Sequence, residues 1–178
     1  MDAHAISKFT SLTDADVDAL AALLIDALDG GASVSFLPPL AHADAAAFWR
    51  RQWPPARGGA IFAARDADGR LDGTVILAPA WAPNQPHRAE VAKLLVHRRA
   101  RRRGVGRALM RALEQHAADE GFSLLTLDTE RGGPGQPTYE SLGWIQCGAI
   151  PDYAIYADGR TCDTILYYKK LSPTSTRR

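Results

Sequence analysis

Six consecutive residues, Arg101-Arg102-Arg103-Gly104-Val105-Gly106, carry the most specific chemistry in the chain. Glycine lets a main chain approach a ligand closely and adopt a positive φ. The first N–H groups of a helix are unpaired and carry partial positive charge. A glycine turn that opens a helix beside arginines is therefore a cradle for phosphate. The pattern is not a Walker A loop, because no Gly-Lys-Ser/Thr follows, and it lacks the third glycine of a dinucleotide fingerprint. Arg102, Arg103 and Arg107 can neutralise phosphate charge, whereas Arg98 and Arg99 read as solvated. A second chemistry belongs to the carboxylates. Asp128, at the end of the apolar run SLLTLD, could bind an ammonium or take a proton; it could equally cap a turn. Glu90 opens EVAKLLV, where a solvent-facing or ion-paired role is the plain alternative. Of the histidines, His97 alone lies near the turn and is a candidate auxiliary base.

These residues need a strand, a turn and a helix to position them, and the pattern supplies all three. Glu90 to Val96 reads as a strand. After Gly104, residues Val105, Ala108, Leu109, Ala112, Leu113, His116 and Ala117 recur at helical spacing and stop at Gly121. Ser123 to Leu127 is an apolar strand suited to a sheet interior. Upstream, Ala3 to Thr10 reads as a strand. Thr13 and Asp16 start a helix that ends at Gly30-Gly31, and a short helix covers Asp44 to Trp53. Ala60 to Ala64 and Leu71 to Ala78 form a hairpin around an Asp-Gly turn. Downstream, Gln136 to Leu142 is a short helix. Trp144 to Ala149 and Thr164 to Lys169 are late strands joined by a loop with a second Asp-Gly turn. The expected fold is α/β (α+β), a mixed, mostly antiparallel sheet of about seven strands flanked by helices. It forms one domain over residues 1–171, with a loose tail at 172–178. The apolar loop at Ala32 to Leu40, with Ser33, Ser35 and Phe36, either lines a pocket or is a packed connector. Trp81, in the loop before the Glu90 strand, is a core or pocket-wall residue.

The turn and its setting resemble the Gcn5-related N-acetyltransferase superfamily, whose signature Arg/Gln-x-x-Gly-x-Gly/Ala is met by residues 101–106. A closer resemblance is to the tabtoxin-resistance acetyltransferases, through GGASVSF, AEVAKLLV, RRRGVGRALM, LLTLDTE and PDYAIYADGR. The resemblance implies that Arg101, Arg102, Arg103, Gly104, Val105, Gly106 and Arg107 hold the pyrophosphate of acetyl-coenzyme A. It implies that the Leu94 N–H contacts the acetyl carbonyl and that the main chain from Leu94 through Leu95 to Val96 follows the pantetheine arm. Glu90, eleven positions before Arg101, takes the place of a general base. Asp128 falls in the acceptor site, and Tyr139 takes the place of an acid for the departing thiolate. Ser33, Ser35, Phe36, Trp81, Asp152 and Tyr153 are the expected acceptor-binding residues.

The resemblance implies acetyl transfer to a primary amine of a small molecule, such as an amino-acid-like toxin or antibiotic, by direct attack in a ternary complex. No cysteine lies in the motif stretch to form an acyl-enzyme. Acetylation of a protein or peptide amine, or sensing of acyl-coenzyme A without turnover, are the alternatives. The 178 residues hold 21 lysines and arginines against 20 acids, a formal net charge of +1. That balance excludes a uniformly basic nucleic-acid protein. The basic stretch also has no interleaved aromatics for stacking bases. Two cysteines provide neither a disulfide framework nor a zinc site, and the scattered histidines show no metal spacing. The longest early apolar run, Ala19 to Ile25, is too short to cross a bilayer, and the N-terminus has no signal-peptide core. The expectation is a cytoplasmic monomer or homodimer without metal, nucleic-acid or membrane partners.

Overall fold

The computed structural model describes residues 4–172. Seven strands, β1 (Ala5–Lys8), β2 (Ala60–Arg65), β3 (Leu71–Pro79), β4 (Arg88–Val96), β5 (Leu124–Glu130), β6 (Ile145–Ile155) and β7 (Thr161–Lys170), form one sheet in the order β1-β2-β3-β4-β5-β7-β6. Every pairing is antiparallel except β4 with β5. Four helices accompany them: α1 (Asp14–Asp29), α2 (His42–Arg51), α3 (Val105–Asp119) and α4 (Gln136–Ser141). This is the expected mixed, mostly antiparallel architecture. Of the expected tail, residues 173–178 lie outside the described residues, as does Ala3 of the expected first strand.

Local signals explain most boundaries. The Thr13 hydroxyl accepts from the Asp16 N–H at 3.2 Å, and the Asp16 carboxylate accepts from the Thr13 N–H at 3.1 Å, a reciprocal capping box that starts α1. The helix ends where Gly31 turns to φ +82°. The β2–β3 and β6–β7 hairpins close alike. Asp66 N–H donates to the Arg70 carbonyl at 3.0 Å, and Tyr156 N–H to the Arg160 carbonyl at 2.9 Å. The glycine of each Asp-Gly pair, Gly69 or Gly159, has a positive φ.

Alternation along the strands divides the interior into two layers. Ile61, Ala63 and Ile76 face α1 and α2 and pack on Leu20, Leu24 and Trp49. Phe62, Ala64, Val75 and Leu77 face the other way and pack on Leu109, Met110 and Leu113 of α3. Helix α3 is the crossover that parallel neighbours require, and it fixes the turn at its own N-terminus against the end of β4.

Strands β5, β6 and β7 each run three residues or more past the hydrophobic pattern, β5 to Glu130 rather than Leu127. β6 reaches Ile155 rather than ending at Ala149, and β7 begins at Thr161 rather than Thr164. Register shifts at Gln146/Gly148 and Ile150/Ala154 interrupt the two-residue period of β6. Asp152 there takes φ +53°. An exposed edge strand with bulges does not show strict alternation, so its second half reads as loop.

Candidate active site

β4 and β5 stay paired only over Arg88–Leu124, Ala89–Leu125 and Glu90–Thr126. Beyond Glu90 nothing pairs β4 on its β5 side, so the two strands splay. A cavity of about 250 Å³ occupies the gap. It collects Glu90, Leu94 and Leu95 from β4, Asp128 from β5, and Tyr139 from α4, together with Ser33, Ser35 and Tyr153. Residues more than 100 positions apart thus meet at one site.

β4 is irregular at this point. Across β3, Leu95 pairs with Thr74 and Ala92 with Ile76, so Lys93 and Leu94 face the single residue Val75. This is a β-bulge, and Lys93 takes φ +52° within it. The bulge brings Lys93 into the cavity wall, where Nζ donates to the Ser35 hydroxyl at 3.1 Å. Ser35 is itself at φ +70°.

Four carboxylates line the cavity, and three have partners. Tyr156 donates a hydrogen bond to Glu130. Arg131 pairs with Asp163 at 3.0 Å. The Thr164 hydroxyl donates to Asp128 at 3.0 Å. Glu90 is exposed and has no hydrogen bond or ion pair among the described residues, so its oxygens are free for a ligand. Tyr139 is 7% exposed and packs against Trp144 and Tyr167, with ring centroids 6.1 Å away in each case. Burial first, and the negative charge of Asp128 second, push its phenol well above the ordinary tyrosine value. Tyr139 therefore keeps its proton at neutral pH and is available as a proton donor.

The basic turn adjoins this cavity. Gly104 at φ +82° and Arg102 at φ +59° shape it, and no side chain caps the first turn of α3. A Cβ added at Gly104 would meet nothing within 4 Å, so its space is open. At Gly106 a Cβ would touch Val96 at 3.7 Å and Leu94 at 3.9 Å, which places the turn directly beside the end of β4.

The arginines divide into two groups. Arg98, Arg99 and Arg101 are tied to the scaffold, the first two from exposed positions. Arg98 Nε donates to the buried Asp26 at 2.7 Å. Arg99 pairs at 2.6 Å with Asp72, which is 2% exposed and also holds His4 at 2.7 Å. Arg101 Nε donates to the Val96 carbonyl at 3.2 Å. Arg98 and Arg99 are thus ion-paired rather than merely solvated, and Arg101 braces the turn from behind. Arg102 and Arg103 are exposed and hold no partner among the described residues, while Arg107 reaches only the Ser141 hydroxyl at 3.2 Å.

The structure does not gather every expected residue. Trp81 is 91% exposed and lies outside both the core and the cavity, because its loop is closed by its own turns, Gln85 N–H to Ala82 and Arg88 N–H to Gln85. Phe36 packs edge-to-face on Phe48 at 5.4 Å and lines a separate cavity of about 220 Å³. Asp152 accepts from the Thr161 hydroxyl and is not among the cavity-lining residues. His97 caps the single 3-10 turn at Arg98–Ala100, its Nδ1 accepting from the Arg99 N–H at 3.2 Å, and its Nε2 lies 3.4 Å from Asp26. It serves the scaffold rather than the cavity. Lys93, Glu130 and Thr164 were not singled out by sequence. Among the described residues there is no cluster of three or more side chains able to hold a metal, and no helix long and apolar enough to cross a membrane.

Similar architectures occur in solved structures. A GCN5-related N-acetyltransferase from Kribbella flavida superposes with a TM-score of 0.79 over 95% of this chain and 98% of that one, at 23% identity. A phosphinothricin acetyltransferase from Sinorhizobium meliloti, solved in complex with acetyl-coenzyme A, gives 0.80 over 98% and 92% of the two chains, at 18% identity. A ribosomal-protein-alanine N-acetyltransferase from Brucella melitensis gives 0.77 over 94% and 99%, at 22% identity. At these identities the likeness is one of fold. The family model for acetyltransferases of the GNAT type matches residues 26–144, which span β4, the basic turn, α3, β5 and Tyr139. With more than half of its length so matched, the chain belongs to the acetyltransferase (GNAT) family.

Proposed function

We propose that this protein transfers the acetyl group of acetyl-coenzyme A to a primary amine of a small molecule, by direct attack while both are bound. The observation that carries the reading is the pairing, in one cavity, of a partnerless carboxylate at Glu90 with a phenol that holds its proton at Tyr139. The adjoining turn fits the coenzyme: its first N–H groups are uncapped, Gly104 leaves open space, and Arg102 and Arg103 are unpaired.

In this reading Gly104 to Gly106 and Arg102, Arg103 and Arg107 hold the pyrophosphate. The coenzyme supplies a thioester and a thiolate leaving group. An acceptor arrives as an ammonium and must lose a proton before its lone pair can attack; Glu90 takes it, directly or through water. Asp128, held by Thr164, favours positive charge in the same space. The Leu94 N–H, in the bulge, is the main-chain donor assigned to the acetyl carbonyl. Tyr139 presents its O–H to the sulfur.

The acceptor is an amino-acid-like compound, as the resemblance to tabtoxin-resistance acetyltransferases suggests. The cavity supports a small molecule over a polypeptide, since the Ser33–Ser35 loop and Tyr153 bound it. The test is thiol release from acetyl-coenzyme A across a panel of amines, among them tabtoxinine-β-lactam, lysine analogues, polyamines, aminoglycosides and a peptide. Turnover of amino-acid-like amines that falls in both Glu90→Gln and Tyr139→Phe supports the reading. Turnover of the peptide alone, or variants as active as the native protein, would refute it.

A further inference from the structure

Lys93 is the one cation lining the cavity among the described residues, and its surroundings are unusual. Its ammonium is held by a neutral hydroxyl, Ser35 at 3.1 Å, and lies 5.7 Å from the centroid of the Phe48 ring. No carboxylate lies within 4.0 Å of it, although four line the same cavity. Withdrawal from water lowers the Lys93 pKa, more than the attraction of Asp128 and Glu90 restores it. A half-buried ammonium with one hydroxyl and one ring face is under-compensated, because buried charge is favourable only when paired. Nor does its position arise by default. It depends on the bulge and on two left-handed residues, Lys93 at φ +52° and Ser35 at φ +70°, a conformation that costs non-glycine residues free energy.

We propose that Lys93, with Ser35, is the anchor for a carboxylate or similar anionic group of the acceptor, so that the site selects zwitterions over plain amines. The proposal rests on the acetyl-transfer reading above and adds what determines specificity within it. The cavity then has two poles. Glu90 and Asp128 receive the reacting amine, while Lys93 and Ser35 receive the acid function of the same molecule. A polyamine or aminoglycoside satisfies the first pole and is repelled by the second.

Three probes isolate the acid group: L-lysine, lysinamide, in which the carboxylate is neutralised, and cadaverine, in which it is absent. Binding is measured by calorimetry on the full chain saturated with coenzyme A, and turnover by thiol release with acetyl-coenzyme A. We expect L-lysine to bind about tenfold or more tightly than either partner, the effect of one charged hydrogen bond. Lys93→Gln should collapse that preference to within about twofold, and Lys93→Arg should keep it. Ser35→Ala, which leaves the bulge intact, should weaken it by a smaller factor. Thermal melting verifies that each variant is folded. Equal binding of the three probes, no saturable binding of L-lysine, or an undiminished preference in Lys93→Gln would overturn the proposal. Because binding is read without turnover, a protein that shows the preference but releases no thiol refutes the acetyl-transfer reading alone.

Discussion

Glu90 on β4 and Thr126 on β5 are the last pair of residues that join the two parallel strands. Past them the sheet opens, and the opening is a consequence of order rather than of any special residue. β5 continues in register with β7 as far as Glu130–Thr164, while β4 bulges at Lys93 and Leu94 and keeps β3 as its only partner. A carboxylate at the point of divergence has one neighbouring strand and a cavity beside it.

On the role proposed for Tyr139, its protonated state would set the alkaline behaviour of thiol release. Burial, and then Asp128, raise its pKa above the ordinary phenol value near 10. The proton is therefore retained as pH rises through the neutral and mildly alkaline range. Thiol release should show no falling limb due to Tyr139 below about pH 10. Tyr139→Phe should lower kcat about a hundredfold, the scale of a positioned acid, with the KM for acetyl-coenzyme A nearly unchanged. A falling limb below pH 9 that vanishes in Tyr139→Phe would contradict this assignment.

The ion-paired arginines should appear in stability and the unpaired ones in binding. Arg102→Ala and Arg103→Ala remove charge that holds nothing in the free protein. Each should weaken coenzyme A binding about tenfold, more at low salt than at high, and leave the melting temperature within about a degree. Arg99→Ala strips the buried Asp72 of one of its two partners and should lower stability by about 2 kcal/mol. Calorimetry and urea melts on the same three variants separate the two classes. The reverse pattern would mean that the cradle lies elsewhere.

Asp26 gives an acid-sensitive contribution. Burial raises its pKa, but the hydrogen bonds from the Arg98 side chain and N–H, together with the charge of His97 and Arg98, outweigh this and hold it below the ordinary value. Its stabilisation is thus present above the unfolded-state value near 4 and is lost as pH falls through the lower folded-state value. Asp26→Asn should cost about 1–2 kcal/mol at neutral pH. That is less than for a fully buried pair, because Arg98 is 56% exposed. Burial also holds His116 below the usual imidazole value, which removes stability earlier, as pH falls past about 6.5. The discriminating window is therefore below about pH 4. Urea melts there should show the native protein and Asp26→Asn converging; a gap that stays constant to pH 2 would disprove the linkage.

Gly104 and Gly106 should respond differently to alanine. Gly104 has φ +82° and open space around its missing side chain, so the cost of Gly104→Ala is one of backbone conformation, about 1–2 kcal/mol. Gly106 lies in the first turn of α3 with ordinary contacts only. Gly106→Ala should be neutral or stabilising by about 0.5–1 kcal/mol. Thermal melts of the two variants decide the matter, and equal destabilisation would count against the left-handed turn as its cause.

The order of elements was legible because punctuation marks it: the Thr13–Asp16 box, Gly31, the two Asp-Gly turns and Gly121. The basic glycine turn was legible because its pattern is local, six residues in a row. What escaped was long-range or irregular. The acids that draw in Arg98 and Arg99 are Asp26 and Asp72; Asp26 lies 72 positions before Arg98, and no periodicity connects them. Lys93 sits in a strand pattern as an ordinary polar position, since a bulge leaves no mark in composition. Trp81 was misplaced for the opposite reason, because a large aromatic suggests burial while the short turns of its loop hold it out in solvent.

The bulge at Lys93 also makes β4 a strand with a change of phase. Before it, side chains alternate in one sense; after it, in the other, because one extra residue has been counted in. Removing a single residue at position 93 or 94 would therefore restore a regular strand and leave Leu95 opposite Thr74, so that both layers of the core keep their residues while the cavity loses its bulge. The extra residue thus belongs to the site and not to the scaffold: the sheet on either side is in phase with β3, and the cavity alone would feel the loss.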